Sequence, residues 1–539
     1  MSERFSSALS ETIFDLIIIG AGINGAGIAR DAAMRGLKVL LLDKGDIGGG
    51  TSSWSTRLIH GGLRYLEHGE IGLVRESLRE RETLFRIAPH LVRPLPILIP
   101  IYKTARRGPW TIRAGMIAYD LLSFDKSLSH HRMLSGEELL RRAPGLNVEG
   151  LRGAALYYDA QVEFAERLVL ENALSATEHG ATVVTYGRVD TLRIENGTVS
   201  GVEFTDLFSD QRHFARGRIV VNATGPWADR VLAGLGAERM IGGTKGSHII
   251  VAPFAGAPAT ALYVEAETNH RSFFVIPWNS NYLIGTTDLR YEGDLDAVEI
   301  EDREIDYLLG ETNRVISDAK LNRESILYTY SGVRPLAFTS DRDEQSITRR
   351  HFIRDHAPRL KNLLSIVGGK LTTYRSLSEQ TVDLVLKKLR RPAPPCSTGD
   401  TPLPGAVTAN FGSFCEQFCQ ECGLPKPTSE RLLRIYGTRA PGVLKLAAED
   451  HTLLKTIGSE TGTLAAEVVF SFRHELAETL SDCLWRRTMA GFSSSVGIGE
   501  AEAAARIAQE HLGWSEDRAQ REVESYRRYI SRFHPRVLA

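Results

Sequence analysis

Residues 14–43 constrain the fold more than any other stretch of the chain. Asp15-Leu16-Ile17-Ile18-Ile19 is a short, β-branched apolar run, too short for a helix and suited to a buried strand. Gly20-Ala21-Gly22-Ile23-Asn24-Gly25 comes next and satisfies G-x-G-x-x-G. Ala26 to Arg35 reads as a helix with few bulky side chains, closed by Gly36. Lys38-Val39-Leu40-Leu41-Leu42 is a second strand, ending on Asp43. In such a unit Gly20 permits the tight turn, Gly22 lets the backbone approach a pyrophosphate, and Gly25 lets the helix pack on the sheet. The helix N-terminus offers free N–H groups to the phosphates, and the acid accepts the ribose hydroxyls. A lone G-x-G-x-x-G is a weak signal. Placed between a strand and a helix, with its acid at the right distance, it specifies an ADP-containing dinucleotide, without separating NAD from FAD.

A chain of 539 residues exceeds one compact core, so two or three domains are expected. The formal net charge of −1 gives no reason to expect a nucleic-acid partner. Five cysteines in so long a chain argue against a disulfide framework and fit a reducing compartment. Met1 to Thr12 is polar, carries Glu3 and Glu11, and lacks the apolar region of a secretory signal. No stretch approaches the ~20 apolar residues of a membrane span.

Beyond Asp43 and Lys44 the loop is rich in glycine and hydroxyls, through Thr51, Ser52 and Ser53. It continues to His60-Gly61-Gly62-Leu63-Arg64-Tyr65, which suits a place where backbone approaches a planar ligand. Ile71 to Ile87 reads as a charged amphipathic helix. In 91–124, Pro94, Pro96 and Pro100 break an apolar run. Lys103, Arg106, Arg107, Trp110 and Arg113 then border an apolar helix ending near Phe124. That pattern fits an interfacial membrane anchor and a buried helix with a basic flank equally well. Two later strands run into glycine junctions: Ile219–Val221 into Asn222-Ala223-Thr224-Gly225-Pro226-Trp227, and Leu364–Val367 into Gly368-Gly369-Lys370-Leu371-Thr372-Thr373-Tyr374, where a helix opens. Residues 391–405 read as a linker rich in Pro, Ser, Thr and Gly. From Phe411 to the end the sequence reads as mostly helical. Cys415-x₃-Cys419-x₂-Cys422 has a spacing known from iron–sulfur ligation. With Phe411, Phe414 and Phe418 interleaved it reads as one apolar helix face, and no metal is expected.

These stretches, together with Lys245-Gly246-Ser247-His248, Tyr330-Ser331-Gly332-Val333-Arg334-Pro335-Leu336 and Leu484-Trp485-Arg486-Arg487-Thr488, resemble the FAD-dependent glycerol-3-phosphate dehydrogenases of the aerobic, respiratory type. The match covers most of Asp15 to about Leu389 in order and is looser beyond. Asp43 stands where such flavoproteins more often carry Glu, and Arg57 where many carry Lys. The resemblance implies an α/β fold: a Rossmann-type FAD-binding domain in three pieces (1–90, 151–240, 351–390), a membrane-interface and substrate segment (91–150), a mixed-sheet substrate domain (241–350), the linker (391–405) and a C-terminal helical domain (406–539).

It further implies oxidation of sn-glycerol 3-phosphate to dihydroxyacetone phosphate by hydride transfer to flavin N5, with electrons passed to a membrane quinone. The alternative is the related oxidase, which uses oxygen. FAD would lie against Gly20, Gly22, Ile23, Asn24, Gly25, Asp43, Lys44, Thr51, Ser52, Ser53, His60, Gly61, Gly62, Ala223, Thr224, Gly225, Trp227, Gly369, Lys370, Leu371 and Thr372. A doubly charged phosphate needs several cations. Arg64, Arg334, Arg349 and Lys370, with Tyr65, are the expected substrate contacts. His248 is the favoured base and His60 the other candidate, with Arg334 and Lys370 completing the catalytic set. A helix opening at Leu371-Thr372-Thr373 would turn its positive end toward the flavin. The expected setting is cytoplasmic, peripherally attached to the inner membrane. A homodimer is compatible with the sequence, which leaves the oligomeric state open.

Overall fold

The computed structural model describes residues 8–67, 69–339, 348–458 and 460–538. Residues 1–7 of the polar N-terminal stretch and residues 340–347 of the expected substrate domain lie outside these. Along the chain, the elements that position the site are β1 (Ile13–Ile19), α1 (Ile23–Met34), β2 (Val39–Leu42), β3 (Val92–Tyr102), α2 (Pro109–Leu122), β4 (Leu151–Val162), β5 (Arg212–Asn222), β6 (Thr244–Val251), β7 (Ile326–Arg334), β8 (Leu363–Val367) and α3 (Tyr374–Leu389).

The first sheet has a parallel core in the spatial order β8, β5, β1, β2 and Thr182–Val184. Its strands read as continuous apolar runs because both faces are covered, and β2 is buried along its whole length. Phe352–Asp355 closes one edge antiparallel to β8. The hairpin Gly187–Glu195 with Thr198–Asp206 turns at Asn196-Gly197 and pairs with β5. Helix α1 packs on the sheet beside α3 and the helix Ala165–Glu178. A Cβ on Gly27 would lie 2.7 Å from the Tyr374 ring, so the small residues of α1 are what admit α3.

The second sheet is mixed. Strand β6 lies between β7 and Asn281–Gly285, and the latter forms a hairpin with Ser272–Trp278. Ala261–Glu265 then joins β3, which runs antiparallel to β4. The prolines do not interrupt β3, contrary to the sequence reading. Pro94, Pro96 and Pro100 share one parity, so the N–H groups of the alternate residues remain for the ladder with β4. Leu95, Ile97, Ile99 and Ile101 occupy the alternate positions and are buried.

Residues 391–405 cross a surface they are tied to. Arg30 donates to the Thr401 carbonyl at 2.7 Å, and Gly405 N–H donates to Glu171 at 3.0 Å. The region beyond is helical, from Phe411–Glu421 to Glu516–Ser531. Its apolar core is continuous with that of the second sheet: Trp485 packs against Trp54, Phe492 and Phe533. Cys415, Cys419 and Cys422 pack on the same core as free thiols.

Candidate active site

A cavity of about 920 Å³ opens at the carboxyl ends of β1, β2, β5 and β8 and is walled on its other side by the second sheet. Ligands in open α/β sheets bind at such strand ends. Gly20, at φ +101°, makes the turn out of β1; a Cβ there would lie 2.8 Å from the Ala223 carbonyl. A Cβ on Gly25 would lie 1.8 Å from the Gly20 carbonyl. Gly22, by contrast, borders the cavity with only the Ser52 hydroxyl near, and that hydroxyl accepts from Ile23 N–H at 3.0 Å. Asp43 accepts from Ala21 N–H at 2.6 Å and Gly45 N–H at 2.8 Å, binding the glycine turn to the loop after β2. Burial pushes its carboxyl up, against those two N–H bonds.

Most residues expected at a cofactor line this cavity. Lys44 lies over the Trp227 ring at 4.5 Å and pairs with Asp296. The Thr51 hydroxyl donates to the Val333 carbonyl at 2.7 Å, joining the two sheets at the cavity edge. Ala223, Thr224 and Gly225 come after β5, and Gly369, Lys370, Leu371 and Thr372 after β8. Gly25, Ser53 and Gly61 sit behind the wall. Ser53 donates to the Gly48 carbonyl at 2.6 Å, and Gly61 N–H to the Tyr119 hydroxyl at 2.9 Å. Helix α3 begins at Tyr374, so Leu371-Thr372-Thr373 is the turn before it. There the Thr372 hydroxyl bonds the backbone of His60, accepting its N–H at 3.2 Å.

The cations converge on the wall made by the second sheet. Asp288 receives Arg334 Nη1 at 3.1 Å and Arg349 Nη2 at 3.0 Å, and pairs also with Arg271. Burial raises its carboxyl, but these three guanidiniums outweigh burial and hold it well below the usual range. Arg349 Nη1 is buried without a hydrogen-bond partner among the described residues. Arg64 and Tyr65 line the same region. Burial, then Arg349, lowers the Arg64 guanidinium. Lys370 donates to Ser77 at 2.9 Å and lies over the Tyr65 ring at 4.6 Å; burial brings it down to about 7.

The two histidines differ. His248, on β6, bonds the Thr56 hydroxyl through Nε2 at 2.9 Å, while Nδ1 is buried without a partner among the described residues. Burial, then Arg334 and Arg57, holds it well below its ordinary range, so it is unprotonated at neutral pH. His60 is held at about 3 by burial and then by Lys370. Arg57 is no ligand group. It donates two buried hydrogen bonds to the Glu166 carboxylate, at 2.7 and 2.8 Å, beside the rings of Trp278 and Phe492. Sequence reasoning missed Arg271, Asp288 and Thr56, and the cavity-lining Arg486, Tyr529 and Arg532 of the helical region. Thr56 and Arg486 lie within stretches that the sequence reading singles out, but nothing local marks these two, or the others, as lining a site; the sheet pairing and the docking of the helical region bring them in.

Residues 15–375 match the family model of FAD dependent oxidoreductases, and residues 396–519 that of the C-terminal domain of alpha-glycerophosphate oxidase. The chain is 47% identical to a glycerol-3-phosphate dehydrogenase of Synechocystis sp., over 97% of each chain. It is 38% identical to a D-erythritol 1-phosphate dehydrogenase of Brucella abortus, over 92% of this chain and 97% of that one. Among solved structures, it is similar to the glycerol-3-phosphate dehydrogenase of Bacillus halodurans complexed with FAD, with a TM-score of 0.80 and 28% identity over 98% and 96% of the two chains. The glycine cradle and the buried Asn24 Oδ1 beside Gly369, which has no hydrogen-bond partner among the described residues, fit a bound dinucleotide. The chain belongs to the FAD dependent oxidoreductases, within them to the glycerol-3-phosphate dehydrogenase family, and its cofactor is FAD.

Proposed function

We propose that the chain oxidises sn-glycerol 3-phosphate to dihydroxyacetone phosphate and delivers the electrons to a membrane quinone. The observation that carries this reading is the gathering of Arg64, Arg271, Arg334, Arg349 and Lys370 on one cavity wall, with Asp288 as counter-ion to three of them. So large a cationic surplus suits a phosphate dianion; the single carboxylate of an amino acid needs less. The Gly20–Gly25 cradle, with Asp43, Ser52, Ala223 and Gly369, would hold FAD, which when bound would supply the two-electron oxidant for C2.

The chain's own groups bind the substrate and move its proton. Arg334 and Arg349 shift part of their pairing from Asp288 to phosphate oxygens, and Asp288 keeps the forks aligned beforehand. His248 takes the C2 hydroxyl proton. It is already unprotonated, its Nδ1 has no partner among the described residues, and Thr56 fixes the ring. Phosphate at Arg334 cancels part of the positive field acting on the imidazole, so substrate binding itself raises its basicity. Lys370 and Tyr65 hold the polyol end, with neutral His60 beside them.

The quinone assignment is supported by α2 and the turn that follows it. Trp110, Leu121 and Phe124 are 78%, 69% and 76% exposed, with Arg106 and Arg113 close by in sequence. This apolar, basic-flanked surface suits peripheral attachment to the cytoplasmic face of the inner membrane. No helix among the described residues is long and apolar enough to cross a membrane. Turnover with a quinone analogue, measured beside peroxide release in air, tests the acceptor. Peroxide formed in step with substrate consumption would replace the quinone by oxygen.

A further inference from the structure

Helix α2 exposes Trp110, Ile117 and Leu121 but buries Tyr119. The Tyr119 hydroxyl accepts from Gly61 N–H at 2.9 Å and donates to Asp159 Oδ2, on β4, at 2.6 Å. Asp159 Oδ1 receives Arg81 Nη1 at 2.6 Å. Tyr119, Asp159 and Arg81 are each at most 2% exposed. A continuous buried chain thus runs from Arg81, on the helix Ile71–Ile87, through β4 and α2 to the backbone of Gly61. The flanking His60 and Gly62 line the cavity. Gly61 has no space for a side chain: a Cβ would lie 2.4 Å from the Tyr119 hydroxyl.

Asp159 has a second reach. Lys370 donates to Ser77 at 2.9 Å, one turn before Arg81 on the helix Ile71–Ile87, and Arg81 holds Asp159, so one helix ties the ammonium and the carboxylate together. Among the carboxylates that favour the charged form of Lys370, Asp159 acts most strongly, ahead of Glu76 and Glu70, with Arg349 opposing. Tyr65 and Ser77 complete the surroundings of the ammonium, and His60 feels its charge. Burial raises the Asp159 carboxyl, and Arg81, the Tyr119 hydroxyl and the Gly61 N–H, which favour its charged form, work against this, with Tyr157 nearby.

We propose that Tyr119 and Asp159 are positioning residues of the active site. Tyr119 fixes the Gly61–Gly62 backbone against the cavity, and Asp159 supplies the buried negative charge behind Lys370. Neither touches substrate. An unanchored loop would let the backbone beside the flavin drift, and a lost carboxylate would leave Lys370 less able to stay charged. The inference rests on assigning Lys370 and this loop to the site, but its test does not require turnover.

In the holoenzyme, Asp159→Asn lowers the Lys370 pKa by about one unit, a tenfold change in proton affinity. This is read by NMR of ¹³C-dimethylated lysines, with Lys370→Arg assigning the signal. A folded Asp159→Asn variant with an unmoved Lys370 overturns the role of Asp159. Tyr119→Phe removes one oxygen and leaves the ring, so it remains informative if Asp159→Asn does not fold. It should speed hydrogen exchange at the Gly61 amide about tenfold, with helix content unchanged. Exchange at the wild-type rate overturns the role of Tyr119. Both effects without any oxidation of glycerol 3-phosphate would refute the functional reading and leave this inference standing.

Discussion

Arg487 donates both Nη atoms to the carboxylate of Asp46, each at 2.8 Å, across 441 positions of sequence. Arg486 adds a bond from Nε at 2.5 Å. Asp46 lies three residues after Asp43, so the helical region grips the same loop that binds the glycine turn. Burial raises the Asp46 carboxyl, and the two guanidiniums more than reverse this. Breaking such a buried pair from one side costs about 3–5 kcal/mol. Arg487→Met should therefore lower the thermal midpoint and shed FAD on dilution. Asp46→Asn combined with Arg487→Met should lose less than the two single effects added. Unchanged FAD retention in Arg487→Met would separate the helical region from the cofactor loop.

Arg271 shares Asp288 with Arg334 and Arg349, although no sequence motif marks it. Losing one charge-assisted contact to phosphate costs about 1.5–3 kcal/mol, roughly ten- to hundredfold in affinity. Arg271→Met should raise KM by that factor with kcat changed less, and Arg334→Met should impair both while FAD stays bound. Steady-state kinetics with glycerol 3-phosphate check this. A wild-type KM in Arg271→Met would remove it from the phosphate site.

Lys370 links stability to pH. Its folded pKa, about 7, lies below the unfolded value of 10.5. Between these the unfolded chain binds a proton that the folded chain lacks, so this group makes stability rise with pH from about 7 to 10.5. Below 7 both states are protonated and it adds no slope. Denaturant midpoints across this range should climb less in Lys370→Met than in the wild type. Parallel profiles would mean that Lys370 is not shifted.

The exposed face of α2 predicts lipid binding. Wild-type protein should float with anionic vesicles, and Trp110→Ser with Leu121→Ser should leave most of it unbound at equal stability. Flotation of the double variant at the wild-type level would move the contact elsewhere.

The β1–α1–β2 unit was legible because its signals are local. Turn, helix start and acid all lie within thirty residues, and the structure brings them together at the carboxyl ends of β1 and β2. The glycine junctions after β5 and β8 were legible for the same reason. Arg271 and Asp288 were not, since their meeting depends on how separate strands of the second sheet lie together. The strand through Pro94, Pro96 and Pro100 was misread because proline is a breaker only where its N–H is needed, which depends on pairing. Tyr119 read as one more apolar position on α2; its role emerges only with Gly61 and Asp159 beside it.

The central claim is that glycerol 3-phosphate reduces the bound flavin of this chain. Anaerobic addition of glycerol 3-phosphate to the holoenzyme, tracked at the flavin absorbance near 450 nm, tests it directly. The account predicts rapid bleaching, slowed strongly in His248→Ala, with colour returning on addition of a quinone analogue. A flavin that stays oxidised with glycerol 3-phosphate, yet bleaches with dithionite, would contradict it.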